Sequence, residues 1–158
     1  MCGIVGYIGK NHCIDILYAG LKRLEYRGYD SAGISVLSGN ELGHVKKEGK
    51  LENLKPLLSE LPSGATRGIG HTRWATHGLP TTVNAHPHVD GNVAVVHNGI
   101  IENYEELKSD LIKNGVSFKS ETDTEVILHL LIKELASVSD VGNALKSVIG
   151  QLEGAFSI

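Results

Sequence analysis

Two cysteines, Cys2 and Cys13, are all that a chain of 158 residues carries. A disulfide framework is therefore not what holds a chain of this size together, and a reducing, cytoplasmic location is expected. No segment approaches the roughly 18 consecutive apolar residues of a membrane-spanning helix. The start has no basic flank, and its apolar run is broken at Gly3, Gly6 and Gly9, so a secretory signal is not expected. Positive charge is not in excess either. Fifteen basic and 18 acidic residues give a net charge of −3, so there is no electrostatic case for nucleic acid or an anionic membrane as partner. Internal repeats, low-complexity tracts and linkers are missing. So is a G-x-G-x-x-G turn after the first predicted strand, which argues against a dinucleotide-binding fold.

What remains is ordinary globular material. Hydrophobic residues make up 41% and charged residues 21% of the chain, enough for one domain with a real core. Nineteen glycines imply many tight turns. Residues 2–9 read as a strand that is apolar on both faces. Over 13–26, Ile14, Leu17, Leu21 and Leu24 form a helical stripe. A turn-rich "RGYDSAG" at 27–33 precedes strands at 34–38 and 43–48 and a helix near 50–60. "GIGHTRW" at 68–74 reads as a strand entering a long loop, 75–91, and "NVAVVHNG" at 92–99 as a strand ending in a turn. Helices are predicted near 103–113, 122–136 and 140–150. The first two open on the capping-box spacings Asn103/Glu106 and Thr122/Glu125. "AFSI" at 155–158 reads as a strand that has only begun. The alternation predicts layered α plus β.

Four places could carry chemistry, and each has a plain structural alternative. If Met1 is removed, Cys2 combines a thiol nucleophile with a free α-amine to serve as its base. The amine pKa of about 7.7–8.0 leaves roughly a tenth of it neutral at pH 7. Otherwise Cys2 is a small apolar residue in a buried strand. "HNG" at 97–99 offers a side-chain amide, Asn98, beside the backbone N–H of Gly99, the pair of donors an oxyanion needs. Asn-Gly is equally a tight-turn signal. In "HTRWATHG" at 71–78, Arg73 presents a bidentate fork suited to a carboxylate, or is a surface arginine beside a core indole, Trp74. In "SETDTE" at 120–125, Asp123 is either the counter-ion of a substrate ammonium or an acid that favours a helix dipole. His71, His77, His86, His88 and His97 crowd one region. No helical H-E-x-x-H pair accompanies them, so a structural metal is not expected. Together, a thiol, an oxyanion hole, a carboxylate clamp and an ammonium partner describe a site for an α-amino acid with a side-chain acyl group.

The blocks "CGIVGYIG", "LEYRGYDSAG", "HTRWATHG", "NAHPHV", "VVHNGIIENY" and "SETDTEV" resemble the glutaminase domain of the glutamine–fructose-6-phosphate aminotransferases (isomerizing), also called glucosamine-6-phosphate synthases. These are class II glutamine amidotransferases of the N-terminal nucleophile hydrolase type. The resemblance implies an α+β fold, a four-layer αββα sandwich, over residues 1–158. It implies hydrolysis of the L-glutamine amide, with the ammonia passed to fructose 6-phosphate. Cys2 would be the nucleophile, with Asn98 and Gly99 as the oxyanion hole. Arg73 would hold the α-carboxylate and Asp123 the α-ammonium. Thr76, His77 and Gly99 would line the pocket, His86 would order a closing loop, and Trp74 would gate an ammonia passage. No metal or organic cofactor is implied, and the full-length enzyme would be a homo-oligomer. The family's glutaminase domain runs further and is followed by two sugar-phosphate isomerase domains. The expectation is thus a domain cut short at its C-terminal end, with any fructose 6-phosphate site in the missing domains. Two other readings stay open: the glutaminase domain of another class II amidotransferase, and an inactive glutamine-binding fragment.

Overall fold

The computed structural model of the chain describes residues 2–75 and 78–158. Along it run β1 (Gly3–Ile8), α1 (Ile14–Leu24), β2 (Ser31–Ser38), β3 (Glu41–Glu48), β4 (Arg67–Arg73), β5 (His88–Asp90), β6 (Val93–Val95) and β7 (Asn98–Ile101). After these come α2 (Tyr104–Lys113), α3 (Thr124–Leu135), α4 (Val141–Ile149) and β8 (Gly154–Ser157). Short 3-10 helices occupy Glu25–Arg27 and Leu51–Glu60. The second of these falls where a helix was expected, near 50–60. Pro56 within it has no amide proton to donate to an α-helical ladder. Among the described residues no helix is long and apolar enough to cross a membrane.

Contacts gather the chain into two units, residues 1–87 and 88–158. The first is built on an antiparallel four-stranded sheet in the order β1-β4-β2-β3. The pleat sends Ala32, Ile34 and Val36 of β2 to one face. There they join Leu17 and Leu21 of the predicted α1 stripe in a buried core, with Leu51 and Leu54 in the same cluster. The side chains of Ser31 and Ser35 point to the opposite face, as does the bare Cα of Gly33 between them. β2 begins three residues earlier than its apolar run, so the end of "RGYDSAG" is strand rather than loop.

The second unit holds two separate two-stranded pairings, β5 with β6 and β7 with β8. Its core draws on Val126, Ile127, Leu130 and Leu131 of α3 and on Ile101, Leu111 and Val148. The expected long loop 75–91 ends in β5, and the expected strand 92–99 is divided into β6 and β7 with a break at 96–97. Neither capping box forms. Asn103 makes no side-chain cap, and instead spans to the chain before β8, donating to Gln151 O at 2.9 Å and accepting from Glu153 N at 3.0 Å. The cap position of α3 is Asp123 rather than Thr122, again without a side-chain cap. Among the described residues, α4 alone is capped in this way, by Asp140 accepting from Asn143 N at 2.8 Å.

Candidate active site

Cys2 lies one residue before β1, half-buried. Because Gly3 pairs with Thr72, Cys2 runs alongside the end of β4. Its thiol lies against the main chain of Trp74, whose N–H donates to Sγ at 3.2 Å and whose carbonyl accepts from it at 3.5 Å. It is therefore placed by backbone rather than packed as a core hydrophobe. Cys13 differs: it is fully buried, and burial pushes its thiol pKa up against a smaller lowering by a backbone hydrogen bond.

Arg73 is 3% exposed, so it is not a surface arginine. Its two terminal nitrogens donate to the carbonyls of Leu79, at 3.1 Å, and Gly78, at 3.2 Å. Trp74 is 45% exposed, not a core indole, and stands edge-to-face with Tyr29 at 5.7 Å. The "RGYD" turn holds this segment in place. Asp30 donates its amide to Arg73 O at 3.1 Å and accepts from Ala75 N through its carboxylate at 2.7 Å. Thr76 and His77 lie outside the described residues.

The expected loop residue His86 is buried and stacks on His71 of β4, with ring centroids 4.3 Å apart and planes at 27°. Its peptide bond to Pro87 is cis. The seat of this loop was not read from the sequence. A Cβ on Gly33 would collide with the carbonyl of His86, so the loop crosses β2 where only glycine lets it pass. From β3, Lys46 Nζ donates to Val83 O at 3.0 Å and Ala85 O at 2.9 Å. Asn84 donates to Leu79 O at 3.0 Å, the same carbonyl that Arg73 holds.

In the second unit Asn98 and Gly99 open β7, where they pair with Ser157 and Phe156. The Asn-Gly dipeptide is thus in a strand and not in the tight turn its sequence permits. Gly99 has φ +123°, and a Cβ there would strike the carbonyl of Ala155. Side-chain-bearing residues rarely adopt that conformation, so the glycine is required by both its backbone angle and its neighbour. Asp123 is 5% exposed. Its carboxylate does not face its own helix: Oδ2 accepts from Ile101 N at 2.9 Å, and Oδ1 lies 3.8 Å from His97 Nδ1. His97 Nδ1 also meets Thr124 Oγ1 at 2.9 Å. Asp123 is thereby fastened to the strand that Asn98 and Gly99 begin. Among the described residues no group of three or more His, Cys, Asp or Glu is placed to hold a metal ion.

Residues 71–158 match a family profile described as a glutamine amidotransferase domain. The chain belongs to this family. Two relatives of the glutamine amidotransferase domain, both named glutamine–fructose-6-phosphate aminotransferase [isomerizing], illustrate its similarity. That of Streptomyces coelicolor is 58% identical over 162 residues, covering 100% of this chain and 26% of the relative. That of Thermococcus kodakarensis is 49% identical over 160 residues, covering 100% and 27%. The chain thus spans about a quarter of the length of the curated relatives it matches. Among solved structures, a glutamine phosphoribosylpyrophosphate amidotransferase from B. subtilis, complexed with ADP and GMP, aligns at TM-score 0.84. It is 28% identical over 99% of this chain and 34% of its own. A structure described as the allosteric regulatory enzyme of purine biosynthesis aligns at TM-score 0.86, with 29% identity over the same shares, 99% and 34%. The amidotransferase domain therefore has the N-terminal nucleophile type of α+β fold that the sequence blocks implied.

Proposed function

We propose that this chain hydrolyses the side-chain amide of L-glutamine through Cys2. In the longer protein it would supply ammonia for converting fructose 6-phosphate to glucosamine 6-phosphate in the cytoplasm. The observation that carries the reading is the Cys2 thiol, half-buried and held against the main chain of Trp74, the residue that follows the buried Arg73 in sequence. With Met1 removed, the α-amine takes the thiol proton as the sulfur attacks the glutamine δ-carbonyl. The oxyanion accepts hydrogen bonds from the Asn98 side chain and the Gly99 amide. The ammonium returns its proton to the departing nitrogen, and ammonia leaves a γ-glutamyl thioester. Water, deprotonated by the same amine, attacks the thioester. Glutamate departs and the thiol is restored, so one glutamine and one water give one glutamate and one ammonia. No step calls for a metal or an organic cofactor.

Recognition falls to Arg73 for the α-carboxylate and Asp123 for the α-ammonium, with Thr76, His77 and Gly99 lining the pocket. In this reading the Arg73 fork, which here holds the Gly78 and Leu79 carbonyls, offers the planar donors that a carboxylate accepts in pairs. His86 orders the loop that those carbonyls open, and Trp74 gates the passage of ammonia. The fructose 6-phosphate site and a homo-oligomeric state belong to the longer protein. The test is ammonia release from glutamine by the purified protein and by Cys2→Ala. The reading requires turnover in the first and none in the second; equal rates would refute it.

A further inference from the structure

A carboxylate is buried in the second unit where a helix start could have done without one. Glu125, in the first turn of α3, is 2% exposed. It does not reach toward its helix cap. Oε1 accepts from Lys119 N at 2.7 Å, and Oε2 accepts from Ser120 N at 2.6 Å and from Ser120 Oγ at 2.6 Å. His129, one turn along α3, approaches Oε1 at 3.4 Å. Ser120 Oγ in turn meets Thr122 Oγ1 at 3.1 Å, and Thr122 Oγ1 meets His88 Nε2 at 2.8 Å. Three short bonds to one carboxylate compensate its desolvation, but an apolar residue would have avoided that cost altogether. What the carboxylate adds is geometry: it draws the segment before α3 into a closed loop of polar contacts.

Asp123 sits in the middle of that loop, between Thr122 and Thr124, both of which are themselves hydrogen-bonded. Its own bond to Ile101 N fixes one carboxylate oxygen. The other lies 3.8 Å from His97 Nδ1. We propose that Glu125 is a positioning residue for recognition of the substrate α-ammonium, holding the 119–125 segment so that Asp123 presents its second oxygen in one direction. This rests on the proposed function, in which Asp123 pairs with that ammonium. Glu125 touches no substrate atom and acts only through Asp123.

The experiment compares wild type, Glu125→Gln and Ser120→Ala in the intact protein on two substrates: glutamine, and the same molecule lacking the α-amine (glutaramate). In Glu125→Gln the KM for glutamine should rise about tenfold, with kcat changed less than about twofold and kcat/KM for glutaramate unchanged. Ser120→Ala should show the same selective loss in smaller measure. If Glu125→Gln is recovered unfolded, Ser120→Ala carries the comparison alone. An equal loss on both substrates, or an unchanged preference for glutamine, overturns the inference and leaves Glu125 a structural residue. A wild-type protein that hydrolyses both substrates alike overturns the role of Asp123 and this inference together.

Discussion

Asn98 and Arg73 should fail in different ways when changed. Asn98→Ala removes one oxyanion donor and should lower kcat by about 10²–10³ with little change in KM. Arg73→Lys keeps the charge but loses the planar fork, so KM should rise while kcat is largely kept. Steady-state kinetics on glutamine check both, and the reverse pattern would mean the roles are exchanged. Gly99→Ala should be worse than either. It forces a side chain to φ +123° and into the Ala155 carbonyl, so both the melting temperature and the rate should fall. The residue types were legible in the sequence because thiol, amide, fork and carboxylate each have a distinctive chemistry. Their surroundings were not. Asn-Gly is a local turn signal, and it is overridden by pairing with Ser157 and Phe156, far along the chain. The burial of Arg73 is likewise made by the loop carbonyls it holds, which no spacing within "HTRWATHG" reveals.

Helices and strands were easier to read than the contacts between them. The α1 stripe, the strands around it and the three later helices fall close to their predicted positions, because their apolar period is written locally. The capping boxes were misread because Asn103 and Glu125 have the right spacing but spend their side chains on more distant backbone. That use of Glu125 has a measurable consequence. Burial raises its pKa, but this is outweighed by the bonds from Ser120 and Lys119 and by the nearby His88, so the net shift is downward from 4.5. A depressed carboxylate contributes stability above its unfolded pKa, and that contribution is lost as pH falls through the folded value. The stability gap between wild type and Glu125→Gln should therefore be constant near neutrality and shrink below about pH 4.5. Thermal melts across that range check it. In the first unit, Gly33→Ala should displace the loop at His86–Pro87 and weaken glutamine binding, while Lys46→Met should loosen the same loop more mildly. Both would be read as a rise in KM.

Each unit of the whole molecule has its own buried cluster, one around Leu17, Leu21 and Ile34, the other around Val126, Ile127 and Ile101. Composition gave the expectation of a core but not its division, because which apolar residues meet depends on long-range pairing. Leu21→Ala, at a site with no exposure, should cost about 2–5 kcal/mol, measurable by denaturant titration. The proposed chemistry combines a nucleophile, a carboxylate clamp, oxyanion donors and an ammonium partner. All of it depends on one thiol. The most direct test is the intact mass of the protein, followed by peptide mapping, after exposure to a glutamine-like electrophile with and without competing glutamine. The account predicts a chain that has lost Met1 and carries a single adduct on Cys2, formed more slowly when glutamine is present, with Cys13 unmodified. An adduct on Cys13, or a chain that retains Met1 and still hydrolyses glutamine, would contradict it.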